Sequence, residues 1–197
     1  MHTVESPPAP RGAGVLVAPY TRIGRPGMIA VAAGQAVAGL ALARAGVRFD
    51  GALDVHRTWT GGPVLLAPAV LDQVAAWPVA VAVALLALRL WRYRPDATEL
   101  LLVWGTARAA LVLTSLTVFA LPTPAEFAGG ASAALLSPAP GVAAAAGIGA
   151  LGFGWFVALL ATGLRTVTGA RGGRLAVIAA SVLVAAEVVS KLVLAAA

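Results

Sequence analysis

Two apolar runs, Gly141–Gly163 and Leu175–Ala195, are joined by a short loop, Leu164–Arg174, that carries Arg165, Arg171 and Arg174. Each run has about the 20 apolar residues that cross a hydrocarbon core, and arginines gathered at one end of such runs are what orients membrane helices. The rest of the chain is of the same kind. It is 60% hydrophobic and only 11% charged, with a mean hydropathy of +0.90. Soluble domains carry about 25% charged residues. A chain this apolar has to bury its surface in lipid, so the reading is all-α: a polytopic membrane helical bundle.

Five spans are expected, at about 27–45, 74–90, 97–121, 141–163 and 175–195, preceded by a polar, flexible tail over 1–26 whose end, Val15–Pro26, lies at the membrane surface. Residues 27–197 then form one bundle. Between the first two spans, Arg48, Asp50, Asp54, His56 and Arg57 make an aqueous stretch, and Pro63–Leu71 is too short and proline-interrupted to cross, so it reads as interfacial or re-entrant. Trp77 on one side and Trp91 and Tyr93 on the other fit the aromatic belts of the second span. The third opens on Asp96-Ala-Thr-Glu99, a variant capping box in which Glu99 reaches back to the N-cap. It ends before Pro122 and Pro124.

Counting basic residues near the span ends sets the orientation. Arg11, Arg22 and Arg25, then Arg89, Arg92 and Arg94, then Arg165, Arg171 and Arg174 share one side, against Arg44, Arg48, Arg57 and Lys191 on the other. The expectation is a cytoplasmic N-terminus and an outside C-terminus. The richness in Ala, Gly, Val and Arg points to a GC-rich bacterial genome, and so to the inner membrane.

Arg108 lies inside the third span, roughly 12 Å from its inner end at 1.5 Å per residue. A cation there costs about 2.5–3.5 kcal/mol, so it must face the bundle or snorkel. Packing, as an interhelical pair or a snorkelled group, is the expectation, and contact with a substrate or ion is the alternative. Glu187 and Lys191 stand at i and i+4 in the fifth span and share a face. Glu187 is within roughly 6 Å of Arg108 in depth, so the two are expected to meet across the third and fifth spans. Lys191 reaches the outer headgroups. Two small-residue rows, Ala146, Ala150, Gly154 and Ala158 in the fourth span and Ala30, Gly34 and Ala38 in the first, are expected to be helix-packing faces, within the chain or against another subunit.

Nothing in the sequence carries enzyme chemistry. There is no GxSxG, HExxH or Walker A pattern, and no cysteine. His56 with Asp50 and Asp54 has no metal-ligand spacing. The net charge of +6 sits at the ends of apolar runs, not on a basic face interleaved with aromatics, so nucleic acid is not an expected partner. No catalytic residue, metal or cofactor is expected, and the expected partners are the lipid bilayer and a membrane protein or a second copy of this chain.

Trp155–Val184 (WFVALLATGLRTVTGARGGRLAVIAASVLV), Tyr93–Leu113 and Tyr20–Ala30 together resemble the Yip-domain family, small polytopic membrane proteins named for interaction with Ypt/Rab GTPases, in its bacterial branch. The shared features are an aromatic before an apolar run, Gly163-Leu-Arg165, a basic loop, and a proline-marked entry to the first span. The resemblance implies five spans, a cytoplasmic N-terminus and a non-enzymatic role as scaffold or accessory factor in membrane organisation or trafficking. The chain lacks the Asp-Leu-Tyr-Gly-Pro sequence of eukaryotic members, so Rab binding is not implied, and it carries Arg108 where many members have proline or a small residue. Two other roles compete: a transporter or permease component using a polar path at Arg108 and Glu187, and a small accessory subunit of a larger membrane complex.

Overall fold

The structure, a computed structural model, describes residues 19–49, 51–131 and 140–196. Five long helices dominate it: α1 (Gly24–Ala43), α2 (Leu66–Leu90), α3 (Ala97–Thr117), α4 (Pro140–Thr168) and α5 (Gly172–Ala196), each long and apolar enough to cross a membrane. The chain is a multi-pass membrane protein. The tail over 1–18 and residues 132–139 of the long loop lie outside the described residues.

Helix ends follow from local chemistry. Asp96 caps α3 by accepting from the Thr98 and Glu99 N–H groups at 2.8 and 3.1 Å. The box expected there is only half made, because the Glu99 side chain does not return to the cap. A full capping box occurs instead at Thr123 and Glu126, which start a one-turn helix at Pro124. Beyond Thr117 a tight turn over Val118–Ala120 finishes the third span, short of Pro122. Gly46, at φ +81°, turns the chain out of α1, and a Cβ there would stand 2.4 Å from the Gly61 carbonyl oxygen.

The second helix corrects the expected boundaries. It begins at Leu66, not near 74, so most of the supposed interfacial piece is its opening turns. Pro68 falls in the first turn, where a missing N–H leaves no bond unmade. Trp77 therefore stands in mid-helix, its ring lying where a Cβ on Gly105 would be 3.3 Å away, and not at a membrane boundary.

Helix α3 is the axis of the bundle. It packs against α4, α1 and α2, while α5 lies mainly along α2. Leu100, Trp104, Ala107, Arg108, Ala110, Leu111 and Ser115 are fully buried along it, with Trp104 edge-on to Phe156 of α4 at 6.4 Å between centroids. Because each helix reverses the last, the starts of α1, α3 and α5 and the ends of α2 and α4 share one end of the bundle. That end carries Arg22, Arg25, Arg89, Arg92, Arg94, Arg165, Arg171 and Arg174.

The two small-residue rows do not make the internal contacts. Ala146, Ala150 and Gly154 are exposed and Ala158 is half-buried, and Ala30 and Gly34 are exposed with Ala38 half-buried. The packed rows are out of phase with them. In α4 it is Ala145, Gly152, Phe156, Leu159, Leu160, Gly163 and Leu164 that are buried, and in α1 Met28, Ala32, Gln35, Gly39 and Ala43. A Cβ on Gly152 would lie 2.3 Å from Thr114 Oγ1 and one on Gly163 2.3 Å from Val103 Cγ1, whereas nothing approaches Gly154 within 4 Å. Gly152→Val is expected to destabilise the bundle by about 1–3 kcal/mol through overpacking. Gly154→Ala should leave thermal unfolding in detergent unchanged or slightly raised. Equal effects at the two positions would contradict this packing.

Candidate functional site

The connection between α1 and α2 is where the polar residues converge. Val47–Arg48 (β1) pairs antiparallel with His56–Arg57 (β2), Val47 opposite Arg57 and Arg48 opposite His56. The pair is closed by Thr58 N–H to the Gly46 carbonyl at 2.7 Å, and Val64 N–H returns to the Ala43 carbonyl at 2.8 Å. The turn between the two strands does not project into solvent. Val47, Phe49 and Ala52 are buried, and the turn folds down into the bundle between α3 and α5.

At that depth there is no bulk water to satisfy a peptide group, and irregular backbone survives only where protein or a wet cavity meets its polar atoms. Here side chains do so. Arg108, 0% exposed and halfway along α3, donates from Nη1 to the carbonyls of Gly51 and Ala52 at 2.8 and 3.1 Å. Glu187 of α5 accepts the Leu53 N–H at 2.8 Å, and Ser190 Oγ accepts the Ala52 N–H at 3.1 Å while donating to the Glu187 carbonyl at 3.0 Å. The Arg108 guanidinium carbon also lies 5.9 Å from the Phe49 ring centroid. Gly51 has no room for a side chain, since a Cβ would sit 2.8 Å from Glu187 Oε2. Nε and Nη2 of Arg108 have no hydrogen-bond partner among the described residues.

Three further polar contacts fix the loop and its supports. Arg48 forms a bidentate pair with the buried Asp72 of α2, at 2.9 and 2.5 Å. Gln35 of α1 donates to Gln73 of α2 at 3.3 Å. Nearer the bundle end, Asp54 pairs with Lys191 Nζ and takes a 3.3 Å contact from His56 Nδ1. That contact with His56 is the largest cause, and Lys191 a further one, of an Asp54 pKa lowered to about 2, against the opposing effect of partial burial.

Arg108 and Glu187 thus come to one place, but through the loop and not through a direct ion pair: one holds its carbonyls, the other its N–H. Lys191 extends to Asp54. Asp50 lies outside the described residues, and no group of three His, Asp or Glu side chains poised for a metal occurs among those described. Sequence reading missed Arg48 with Asp72, Ser190, and the descent of the loop itself. The available signal was Phe49, Ala52 and Leu53, apolar residues set among charged ones. No family model, curated protein or solved structure matches the chain.

Replacing Arg108 with Met leaves the Gly51 and Ala52 carbonyls unpaired inside the bundle and should cost about 2–6 kcal/mol, about 1–3 for each unsatisfied group. Glu187→Gln keeps an oxygen for Leu53 and should cost only about 1–2 kcal/mol. Thermal unfolding in detergent ranks the two, and the reverse order would refute the assignment. Asp54 adds a pH dependence. Its folded pKa lies below the ordinary 3.8, so its contribution is complete above that value and lost as pH falls through about 2. The unfolding temperature in detergent should therefore fall between about pH 4 and pH 2 by more in the parent chain than in an Asp54→Asn variant, and an equal fall in the two would rule out the Asp54 anchor.

Proposed function

We propose that this protein is a non-enzymatic scaffold or accessory factor of the bacterial inner membrane, with a cytoplasmic N-terminus, in the manner that its resemblance to Yip-domain proteins implies. The observation that carries the reading is the full burial of Arg108 against the loop backbone. The one fully buried cation among the described residues, which a permease would need on a wet path, is occupied in holding the protein's own chain. Glu187, the deep acid, is used in the same way. The cavities at the bundle surface support this. One of about 620 Å³ is lined by Arg89, Arg92, Tyr93, Arg94 and Pro95, and one of about 200 Å³ by Pro19, Ile23, Val31, Thr106, Ala109, Trp155 and Leu159; neither has Arg108 or Glu187 in its wall.

A closed bundle acts through what it binds on its surfaces. The exposed rows of small and apolar residues on α1 and α4 face the lipid, where another membrane protein or a second copy would dock.

Two measurements test this. Single cysteines at Phe127 and Arg171 should label from opposite sides of the membrane, with Arg171 cytoplasmic; same-side labelling would overturn the five-span topology. Purification of the tagged protein in mild detergent should recover a membrane-protein partner or a second copy in stoichiometric amounts. Solute flux into vesicles holding the protein alone, abolished by Arg108→Lys, would replace the scaffold reading with a transporter.

A further inference from the structure

We propose that the cavity at the arginine-rich end of the bundle holds the phosphate of an anionic phospholipid. Its wall includes Arg89, Arg92, Tyr93, Arg94 and Pro95, around about 620 Å³. No acid is among the described residues of that wall, and none of the three arginines forms an ion pair with a described residue. Three like charges facing one concavity repel one another until an anion enters. Arg174 stacks over Tyr93 at 5.1 Å, which adds a fourth cation behind the aromatic wall and fixes its ring.

The backbone supplies a second, independent observation. Helix α2 ends with the Tyr93 N–H on the Leu88 carbonyl and the Arg92 N–H on that of Arg89, both at 2.9 Å. This is a Schellman ending, whose left-handed position is normally glycine. Here it is Arg92, at φ +66°, the one non-glycine residue with positive φ among those described. A long cationic side chain in that conformation is strained where glycine would not be. Topogenic charge explains arginines at this end of the chain, but any nearby position would serve that purpose. It does not explain an arginine at the left-handed position, or three that line one cavity.

The occupant is a lipid and not a soluble phosphate because the cavity adjoins apolar surface. Leu86 and Leu90, on the last turns of α2, are 62% and 78% exposed, and Trp91, between the lining residues Arg89 and Arg92 in the chain, is exposed as well. Acyl chains would run along these residues while the phosphate sits among the guanidiniums. Basic pockets beside spanning helices recognise anionic headgroups in this way.

The test uses the full chain in neutral detergent, with native mass spectrometry and thermal unfolding. The additives are a phosphatidylglycerol, a two-phosphate cardiolipin, a phosphatidylcholine and inorganic phosphate. The two anionic lipids should remain bound and raise the unfolding temperature, and the other two should not. Arg92→Gly should unfold at the same or a higher temperature yet bind anionic lipid about fivefold more weakly. Arg89→Gln with Arg94→Gln should weaken binding further, and Arg171→Gln, at the same end but outside the cavity, should change it less than twofold, roughly the effect of a screened surface charge. The proposal is overturned by an equal loss with Arg171→Gln, by equal protection from inorganic phosphate, or by an Arg92→Gly variant that binds lipid unchanged.

Discussion

A peptide group inside a membrane has to be hydrogen-bonded by protein, and the polar architecture of this bundle depends on that constraint. The turn at Gly51–Leu53 brings two carbonyls and two N–H groups to the middle of the helices. Left alone, each would cost on the order of several kcal/mol. An arginine at the depth of Arg108 would cost about 2.5–3.5 kcal/mol or more by itself. Each deficit supplies what the other lacks: a guanidinium donates to the carbonyls, a carboxylate and a hydroxyl accept from the amides. Neither the loop nor the deep charges are stable in this place without the other.

The charges fall into two populations as a result. Away from the arginine-rich end, three cations have assigned work: Arg48 on Asp72, Lys191 on Asp54, Arg108 on the loop carbonyls. At that end, Arg89, Arg92 and Arg94 face a cavity with no acid among the described residues of its wall. The first group serves the protein's own backbone and packing. The second is directed outward, to whatever lies at the membrane surface. This division follows position in the bilayer, since a charge in the interior must be met by protein and one at the boundary can be met by headgroups.

How much of this could be read from the sequence depended on how far apart the interacting residues are. The third span was legible to within a few residues because Asp96 and Pro122 mark its ends locally. The start of α2 was not, because Pro63 and Pro68 read as breakers although Pro68 falls in a first turn that tolerates it. The small-residue rows show a different failure. A four-residue rhythm identifies a row, but a helix rich in Ala and Gly has several, and only the neighbour distinguishes Gly152, crowded by Thr114, from Gly154, which touches nothing. The loop was the least legible. Its contacts join residues 57 apart at Arg108–Gly51 and 134 apart at Glu187–Leu53. Arg108 and Glu187 stood out as costly, and their convergence followed from depth, but the third party between them left only the weak trace of Phe49, Ala52 and Leu53.

The core of Trp104, Leu111, Phe156, Leu160 and Leu164 would hold α3 to α4 with any apolar residue at 108, and a well-packed replacement for a buried charge is often neutral or stabilising. What an apolar residue cannot do is accommodate the loop. Arg108 therefore specifies where the connection goes more than it strengthens the helices around it. The loop is held at two levels of different character. The deep one, at Gly51–Leu53, is enclosed; the shallow one, Asp54 with Lys191 and His56, has side chains 35–38% exposed, within reach of water and protons. A change of pH or salt at the membrane surface therefore reaches the shallow contact, while the deep one is shielded from it.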